Sequence, residues 1–238
     1  MTRRRWIADE VSHNRAAIVG EHADHLVRVL RARLGEDFDI AIGAAVRRGR
    51  ITSLTNDRVE FELGEAVPAS DLPNITLVLA IFKYDRMEWA IEKCTELGVS
   101  RIVPLISRRT DSRLAAASMK RAERWQRIAR QAAEQSRRSA PPEISAPVKI
   151  SEALNLPGSL RIVLAESEEK TLLRDAVPPE PANGIVLAVG PEGGWTEEEL
   201  HSFRQSQWIS ASLGNTILRA ETAAIAATAV ITSALHSR

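Results

Sequence analysis

The 238-residue chain contains a single cysteine, Cys94, which excludes an internal disulfide and a cysteine-based zinc site. Its neighbours read as helix, so the thiol is expected to be structural. Long apolar runs are also missing. The longest uncharged stretch near the C-terminus, Thr222 to Leu235, has 14 residues, several of them Thr and Ala, whereas a bilayer span needs roughly 20 apolar residues. No membrane helix is expected. The arginines at 3, 4 and 5 are followed by no apolar stretch; the N-terminus does not read as a secretory signal, and the cytosol is the expected compartment. The GxGxxG spacing of a dinucleotide fold and the GxxxxGK[ST] of a P-loop are both lacking, which counts against nucleotide hydrolysis. There is no internal repeat and no low-complexity segment, and no metal site is expected.

At 44% hydrophobic and 26% charged residues, the chain has the composition of a globular protein with a real core. Its net charge of +1 hides an asymmetry: residues 101–140 carry eleven Lys and Arg against three Asp and Glu, and residues 141–238 carry seven against twelve. The basic stretch offers a local field to a polyanion such as RNA, because each neutralised phosphate releases condensed counterions. A solvated helix face explains the same charge equally well.

Strand alternation runs from about residue 38 to 64, clearest at Val59, Phe61 and Leu63, with a hairpin turn at Thr55-Asn56-Asp57-Arg58. Before it, Leu26, Val29, Leu30 and Leu34 predict a helix over about His22 to Arg33. Residues 1–70 therefore read as a small β-rich domain, and a Pro-punctuated linker follows. From residue 74 to 238 continuous apolar runs (75–82, 102–106, 161–165, 185–189, 209–213) alternate with helical patterns (86–97, 119–138, 196–205, 220–235). Buried β-runs separated by helices predict a parallel α/β sheet, with ligands at the loops beyond the strand C-termini.

Two such loops stand out. Gly190-Pro191-Glu192-Gly193-Gly194 can turn sharply and let a ligand approach its backbone, and Thr196 with Glu199 reads as a capping box opening the next helix. After the next strand, Leu213-Gly214-Asn215-Thr216-Ile217-Leu218-Arg219-Ala220-Glu221 brings a second glycine loop with a cation and a carboxylate. Arg219 and Glu221 fit a structural pair as well as a site. Lys93 and Glu96 read as solvated or mutually paired charges on a helix that Gly98 ends, and His25 alone reads as part of the first domain's packing.

Taken together, Glu92-Lys93-Cys94-Thr95-Glu96-Leu97-Gly98-Val99, the segments 132–138, 190–194 and 213–223, and His25-Leu26-Val27-Arg28-Val29-Leu30-Arg31 resemble the bacterial small-subunit (16S) ribosomal RNA uridine N3-methyltransferases of the knotted SPOUT superfamily. The resemblance covers nearly the whole chain. It implies a small PUA-like RNA-binding β-barrel domain at 1–70 and a SPOUT methyltransferase domain with a C-terminal trefoil knot at 74–238, an exception to the avoidance of knots. It also implies a homodimer, S-adenosylmethionine as cofactor, and 16S ribosomal RNA, within the small subunit, as partner. Matched by motif, the cofactor loops are Leu164, Ala165 and Glu166; Gly190, Pro191, Gly193 and Gly194; and Leu213, Gly214, Ile217 and Leu218. Arg219, Glu221 and Glu192 are the candidate catalytic residues. Arg3, Arg5, His25, Arg28, Arg31, Lys83, Lys93, Arg108, Arg109 and Arg138 are the candidate RNA contacts. The chain departs from the family pattern at Tyr84, where a glycine is expected, and at Ser107 to Thr110. A non-catalytic RNA-binding protein and a knotted ribose 2′-O-methyltransferase are the alternative readings.

Overall fold

The computed structural model describes residues 5–43, 45–68, 74–178 and 184–236, and Arg3 lies outside them. The chain divides into two compact units, residues 1–71 with 133–141, and residues 72–132 with 142–238.

The first unit contains β1 (Arg5–Ile7), β2 (Glu10–Ser12), β3 (Arg15–Val19), β4 (Asp37–Ile42), β5 (Ala45–Leu54) and β6 (Arg58–Val67). They form one sheet in the order β1-β4-β5-β6-β3-β2. The alternation at Val59, Phe61 and Leu63 does face inward, with Trp6, Ile18, Ile40 and Ile51. The turn at Thr55 closes as expected, its N–H donating to the Arg58 carbonyl at 2.9 Å. The helix predicted over 22–33 is shorter and differently wound: α1 (Glu21–Asp24) passes into a π-helical turn at His25–Val29. Of the four leucines and valines that suggested a helical stripe, only Leu26 is fully buried, while Val29 is 64% and Leu34 67% exposed. The wider turn changes which side chains share a face.

The second unit contains β7 (Ile75–Ala80), β8 (Arg101–Ile106), β9 (Glu143–Ile144), β10 (Val148–Lys149), β11 (Leu160–Leu164), β12 (Ile185–Val189) and β13 (Ile209–Ala211). All pairings are parallel, in the order β8-β7-β12-β11-β13, with β9 and β10 successively on the outer side of β8. The helices are α2 (Tyr84–Glu96), α3 (Ser112–Ala117), α4 (Ala122–Gln135), whose residues from 133 onward count with the first unit, α5 (Ile150–Ala153), α6 (Leu173–Ala176), α7 (Glu197–Gln205) and α8 (Ala220–His236). The helix predicted from 119 begins instead with a 3₁₀ turn, Ser118–Arg121.

Helices on both faces explain why the central strands are apolar at every position rather than at alternate ones. On one face Leu77, Leu79, Ile162 and Leu187 pack with Met87, Ile91, Trp125 and the α8 residues Ala224, Ala227 and Ile231. On the other, Val78, Val103, Val163 and Val186 pack with Trp195, Leu200, Phe203 and Trp208. Each large side chain so buried contributes roughly 1.5–3 kcal/mol. α8 is fastened to α2 by more than apolar contact: Thr232 Oγ1 donates to the Leu97 carbonyl at 3.0 Å, and Thr228 Oγ1 lies 3.5 Å from Cys94 Sγ.

Cys94 is fully buried. Burial pushes its thiol up to about 12, against the smaller opposing effect of the Thr228 hydroxyl, because a thiolate is poorly solvated there. The thiol stays protonated at neutral pH. Iodoacetamide at pH 8 is expected to leave the folded protein unlabelled and to label it in denaturant; labelling of the folded protein at the rate of a free thiol contradicts this burial.

Candidate active site

The strand order places the ends of β7, β12, β11 and β13 side by side. β8 lies on one side of β7 and β12 on the other, and the connections from β7 to β8 and from β12 to β13 run in opposite directions, which makes the carboxyl edge there a switch point, the place where open α/β sheets bind ligands. The loops that carry the sequence motifs emerge at this edge.

Hydrogen bonds join these loops into one structure. Trp195 Nε1 donates to the Leu164 carbonyl at 2.9 Å, which ties the loop after β12 to the end of β11. The Trp195 ring is held from behind by Phe203, at 5.0 Å between centroids. Gly190 faces this indole so closely that a Cβ there would lie 3.1 Å from Nε1 and 3.2 Å from Cε2. The turn itself is closed by the Gly194 N–H donating to the Pro191 carbonyl at 2.9 Å. The segment after β11 is stitched to the end of β13: Ala165 N–H donates to Ala211 O at 3.0 Å, Ser212 N–H to Thr171 O at 2.9 Å and Leu173 N–H to Ser212 O at 2.8 Å. Gly214 then adopts φ +121°, a conformation that residues with a Cβ rarely reach.

The capping box forms as expected, and it does more than start α7. Glu199, 2% exposed, accepts from the Thr196 N–H at 2.9 Å and from the Arg108 N–H at 2.8 Å. One buried carboxylate thus fixes both the helix start and the turn after β8, and Arg109 Nη1 donates to the Gly193 carbonyl. Glu199→Gln keeps the shape but turns one oxygen into a donor facing an N–H. A loss of about 2 kcal/mol in unfolding free energy is expected, read in urea denaturation; an unchanged midpoint contradicts the double role.

The candidate catalytic groups separate by environment. Arg219, at the start of α8, is exposed, and no hydrogen bond or ion pair of its side chain occurs among the described residues. Glu192 is exposed, and its Oε1 lies 2.6 Å from Arg86 Nη1. Glu221 is 3% exposed; its Oε1 lies 3.7 Å from Arg86 Nε, and its Oε2 is buried without a hydrogen-bond partner among the described residues. The structural pair of Glu221 is therefore Arg86 and not Arg219. Arg86 was missed in the sequence because a single arginine near a helix start looks like a solvated charge.

Of the candidate cofactor residues, Leu164, Ala165 and Pro191 are buried and Leu213 and Leu218 half-buried, whereas Glu166, Gly193, Gly214 and Ile217 are exposed. Among the candidate RNA contacts, Lys83, Arg108 and Arg109 are exposed in the second unit. Lys93 is held by Glu92 at 2.7 Å and Glu96 at 2.9 Å, and these hydrogen bonds raise its pKa above the ordinary lysine value. In the first unit Arg28 pairs with Asp24 at 2.6 Å and Arg31 is exposed at φ +53°. His25 is exposed, its ring 5.9 Å from Trp6. Arg5 donates to the Arg137 carbonyl. Arg138 is only 6% exposed, and burial pushes its guanidinium down to about 10. At the position where the family pattern expects glycine, the Tyr84 hydroxyl donates to the Leu114 carbonyl at 2.6 Å and the Arg121 guanidinium sits 4.5 Å above its ring. Among the described residues no group of His, Cys, Asp and Glu is arranged to hold a metal, and no helix is long and apolar enough to cross a membrane.

The fold recurs in known proteins. The family model described as an RNA methyltransferase domain matches residues 70–232. The ribosomal RNA small subunit methyltransferase E of Synechocystis is 35% identical over 90% of this chain and 71% of its own, and that of Rickettsia conorii is 32% identical over 92% and 90%. The solved structure of the Neisseria gonorrhoeae enzyme of that name, bound to S-adenosylmethionine, superposes with a TM-score of 0.85 at 32% identity over 98% of each chain. A putative methyltransferase from Legionella pneumophila, also with S-adenosylmethionine, gives 0.87 at 29% over 98% of each. With the parallel sheet, the stitched loops and these relatives in agreement, the chain belongs to the ribosomal RNA small subunit methyltransferase E family.

Proposed function

We propose that the chain transfers a methyl group from S-adenosylmethionine to N3 of a uridine in 16S ribosomal RNA within the small subunit, in the cytoplasm and as a homodimer. The observation that carries this reading is the joining of three loops, two of them glycine-bearing, at one sheet edge, beside an exposed Arg219 and the carboxylates of Glu192 and Glu221. The residues present fit the cofactor. Gly214 has open space where a Cβ would stand and leaves its backbone open to close approach, and Glu221 Oε2 is a buried acceptor that suits an incoming N–H or O–H donor.

When bound, S-adenosylmethionine supplies an electrophilic methyl on a sulfonium. The loops at Leu164 to Glu166, Gly190 to Gly194 and Leu213 to Leu218 hold and orient it, since an in-line displacement depends mainly on placing the reacting atoms. Uracil N3 is protonated at neutral pH, so its nucleophilic form needs both an acceptor for the proton and a cation for the resulting charge. Arg219 stabilises the developing anion at a uracil oxygen. Glu192, the more open carboxylate, orients N3–H and accepts its proton. The base leaves its stack to reach these groups, while Lys83, Arg108 and Arg109 hold neighbouring phosphates.

The finer architecture belongs to the same reading. Residues 1–70 act as a PUA-like barrel that brings Arg3, Arg5, His25, Arg28 and Arg31 to RNA, and residues 74–238 as a SPOUT domain with a trefoil knot. Ile217, 82% exposed, and Trp89, 48% exposed, are apolar side chains that a second copy would cover.

The test is label transfer from methyl-labelled S-adenosylmethionine to small subunits from cells lacking this protein, with free 16S ribosomal RNA in parallel. Label in the RNA of the subunits supports the proposal. Binding of the cofactor without label in either RNA overturns the substrate.

A further inference from the structure

We infer that Arg86 is a positioning residue for methyl transfer, anchored on the buried carboxylate of Glu221 and holding Glu192 at the mouth of the site. The inference rests on the function proposed above and adds a division of labour between the two carboxylates.

Three observations carry it. First, Arg86 reaches both acids through different atoms: Nη1 lies 2.6 Å from Glu192 Oε1 and Nε lies 3.7 Å from Glu221 Oε1. A guanidinium presents its donors in a rigid planar fork, so fixing Nε toward one acid fixes the direction of Nη1 toward the other. Second, the acids differ in access. The Glu221 side chain is 4% exposed and that of Glu192 37%. A base extruded from RNA can meet Glu192; Glu221 is enclosed at the start of α8, where a carboxylate is favoured by the helix dipole. Third, the three residues come from three separate segments: the helix after β7, the loop after β12 and the start of α8. The loop around Glu192 contains three glycines and has high intrinsic freedom; an ion pair from a rigid helix restricts where its carboxylate points.

Glu221 therefore acts through Arg86, and Glu192 is the acid that meets the base. Because Arg86 touches neither the base nor the methyl group in this scheme, its loss should lower turnover while leaving cofactor recognition in place. A displacement of the order of 1 Å in a reacting group costs about 100-fold in rate.

The experiment measures kcat and KM for S-adenosylmethionine on small subunits for the full chain and for R86A, R86K, E221Q, E192Q and R86A/E192Q, with thermal melting of each. The expected result is a roughly 100-fold lower kcat for R86A with KM within about threefold. R86K, which retains the charge but not the fork, is expected to recover part of the loss. E221Q, which keeps the buried shape, should lower kcat as R86A does and, because Oε2 is the acceptor offered to the cofactor, also raise KM for S-adenosylmethionine; R86A/E192Q should be no worse than the poorer single variant because the two act as one unit. Wild-type kcat in R86A, or fully additive losses in the double variant, overturns the inference while the proposed function stands. A loss in R86A and R86K that follows only a lowered melting temperature, with kcat per folded molecule unchanged, also overturns it. A wild-type chain that binds the cofactor but labels neither RNA overturns the proposed function, and this inference with it.

Discussion

Arg219→Ala is expected to lower turnover by about 100- to 1000-fold, the range seen when one group stabilising a transition-state charge is removed, and to leave S-adenosylmethionine affinity within about threefold. The expectation follows from what Arg219 does not do. Its side chain is exposed and has no partner among the described residues, so truncation breaks no internal bond and the melting temperature should hold. Its position is nonetheless fixed, because it begins α8, with its carbonyl accepting from the Ala223 N–H at 2.8 Å, and α8 is packed along α2 through Ala224, Ala227 and Ile231. A cation at a fixed place with no internal partner is suited to a charge that appears only during reaction. Arg219→Lys should recover part of the rate, since it keeps the charge but not the planar fork. Steady-state kinetics with calorimetry of cofactor binding checks both halves; full turnover in Arg219→Ala removes this residue from the mechanism.

Gly190→Val is expected to weaken S-adenosylmethionine binding at least tenfold, about 1.4 kcal/mol. A Cβ at this position would lie 3.1 Å from Trp195 Nε1, and the β-branched side chain adds bulk toward the same ring. The indole cannot retreat freely, because Phe203 packs behind it and Trp208 behind Phe203, each pair 5.0 Å apart. Overpacking of this kind costs about 1–3 kcal/mol. Moving the indole also breaks its hydrogen bond to the Leu164 carbonyl, so the β11 and β12 loops separate and two of the three proposed cofactor loops are disturbed together. Gly64→Ala is the control: its nearest contact would be an ordinary 3.6 Å, to Arg48 O, and binding should be unchanged. Titration calorimetry distinguishes the two; equal affinity in Gly190→Val and the wild type contradicts the role given to this loop.

The parallel sheet was legible because its central strands are buried on both faces and therefore apolar throughout, as in the five fully buried residues Ile185–Val189. The strands of the first unit were harder to read where they are short or exposed. Glu10–Ser12 is exposed at all three positions and so carries no alternation, and Arg5–Ile7 has only three residues. The π-helical turn at His25–Val29 escapes a reading based on 3.6-residue spacing. At the site, glycines and a capping box leave local signatures, and these located the loops after β12 and β13, whereas the loop at Leu164 to Glu166 has no glycine and followed only from the family resemblance. Arg86 leaves none, because its meaning depends on Glu192, 106 residues away, and on Glu221. The same holds for Glu199: the sequence shows its bond to Thr196, three residues back, but not its bond to the Arg108 N–H, 91 residues away. Local patterns report local bonds, and ion pairs and hydrogen bonds between distant segments appear only once the chain is folded.

The most direct measurement is the chemical identity of the product. Small subunits lacking the modification are incubated with the full chain and S-adenosylmethionine, and the RNA is digested to nucleosides for mass spectrometry. The account predicts N3-methyluridine, at a linkage that remains open to alkaline cleavage because the ribose hydroxyl is unmodified. A uridine methylated on its ribose, at a linkage resistant to alkali, would contradict it.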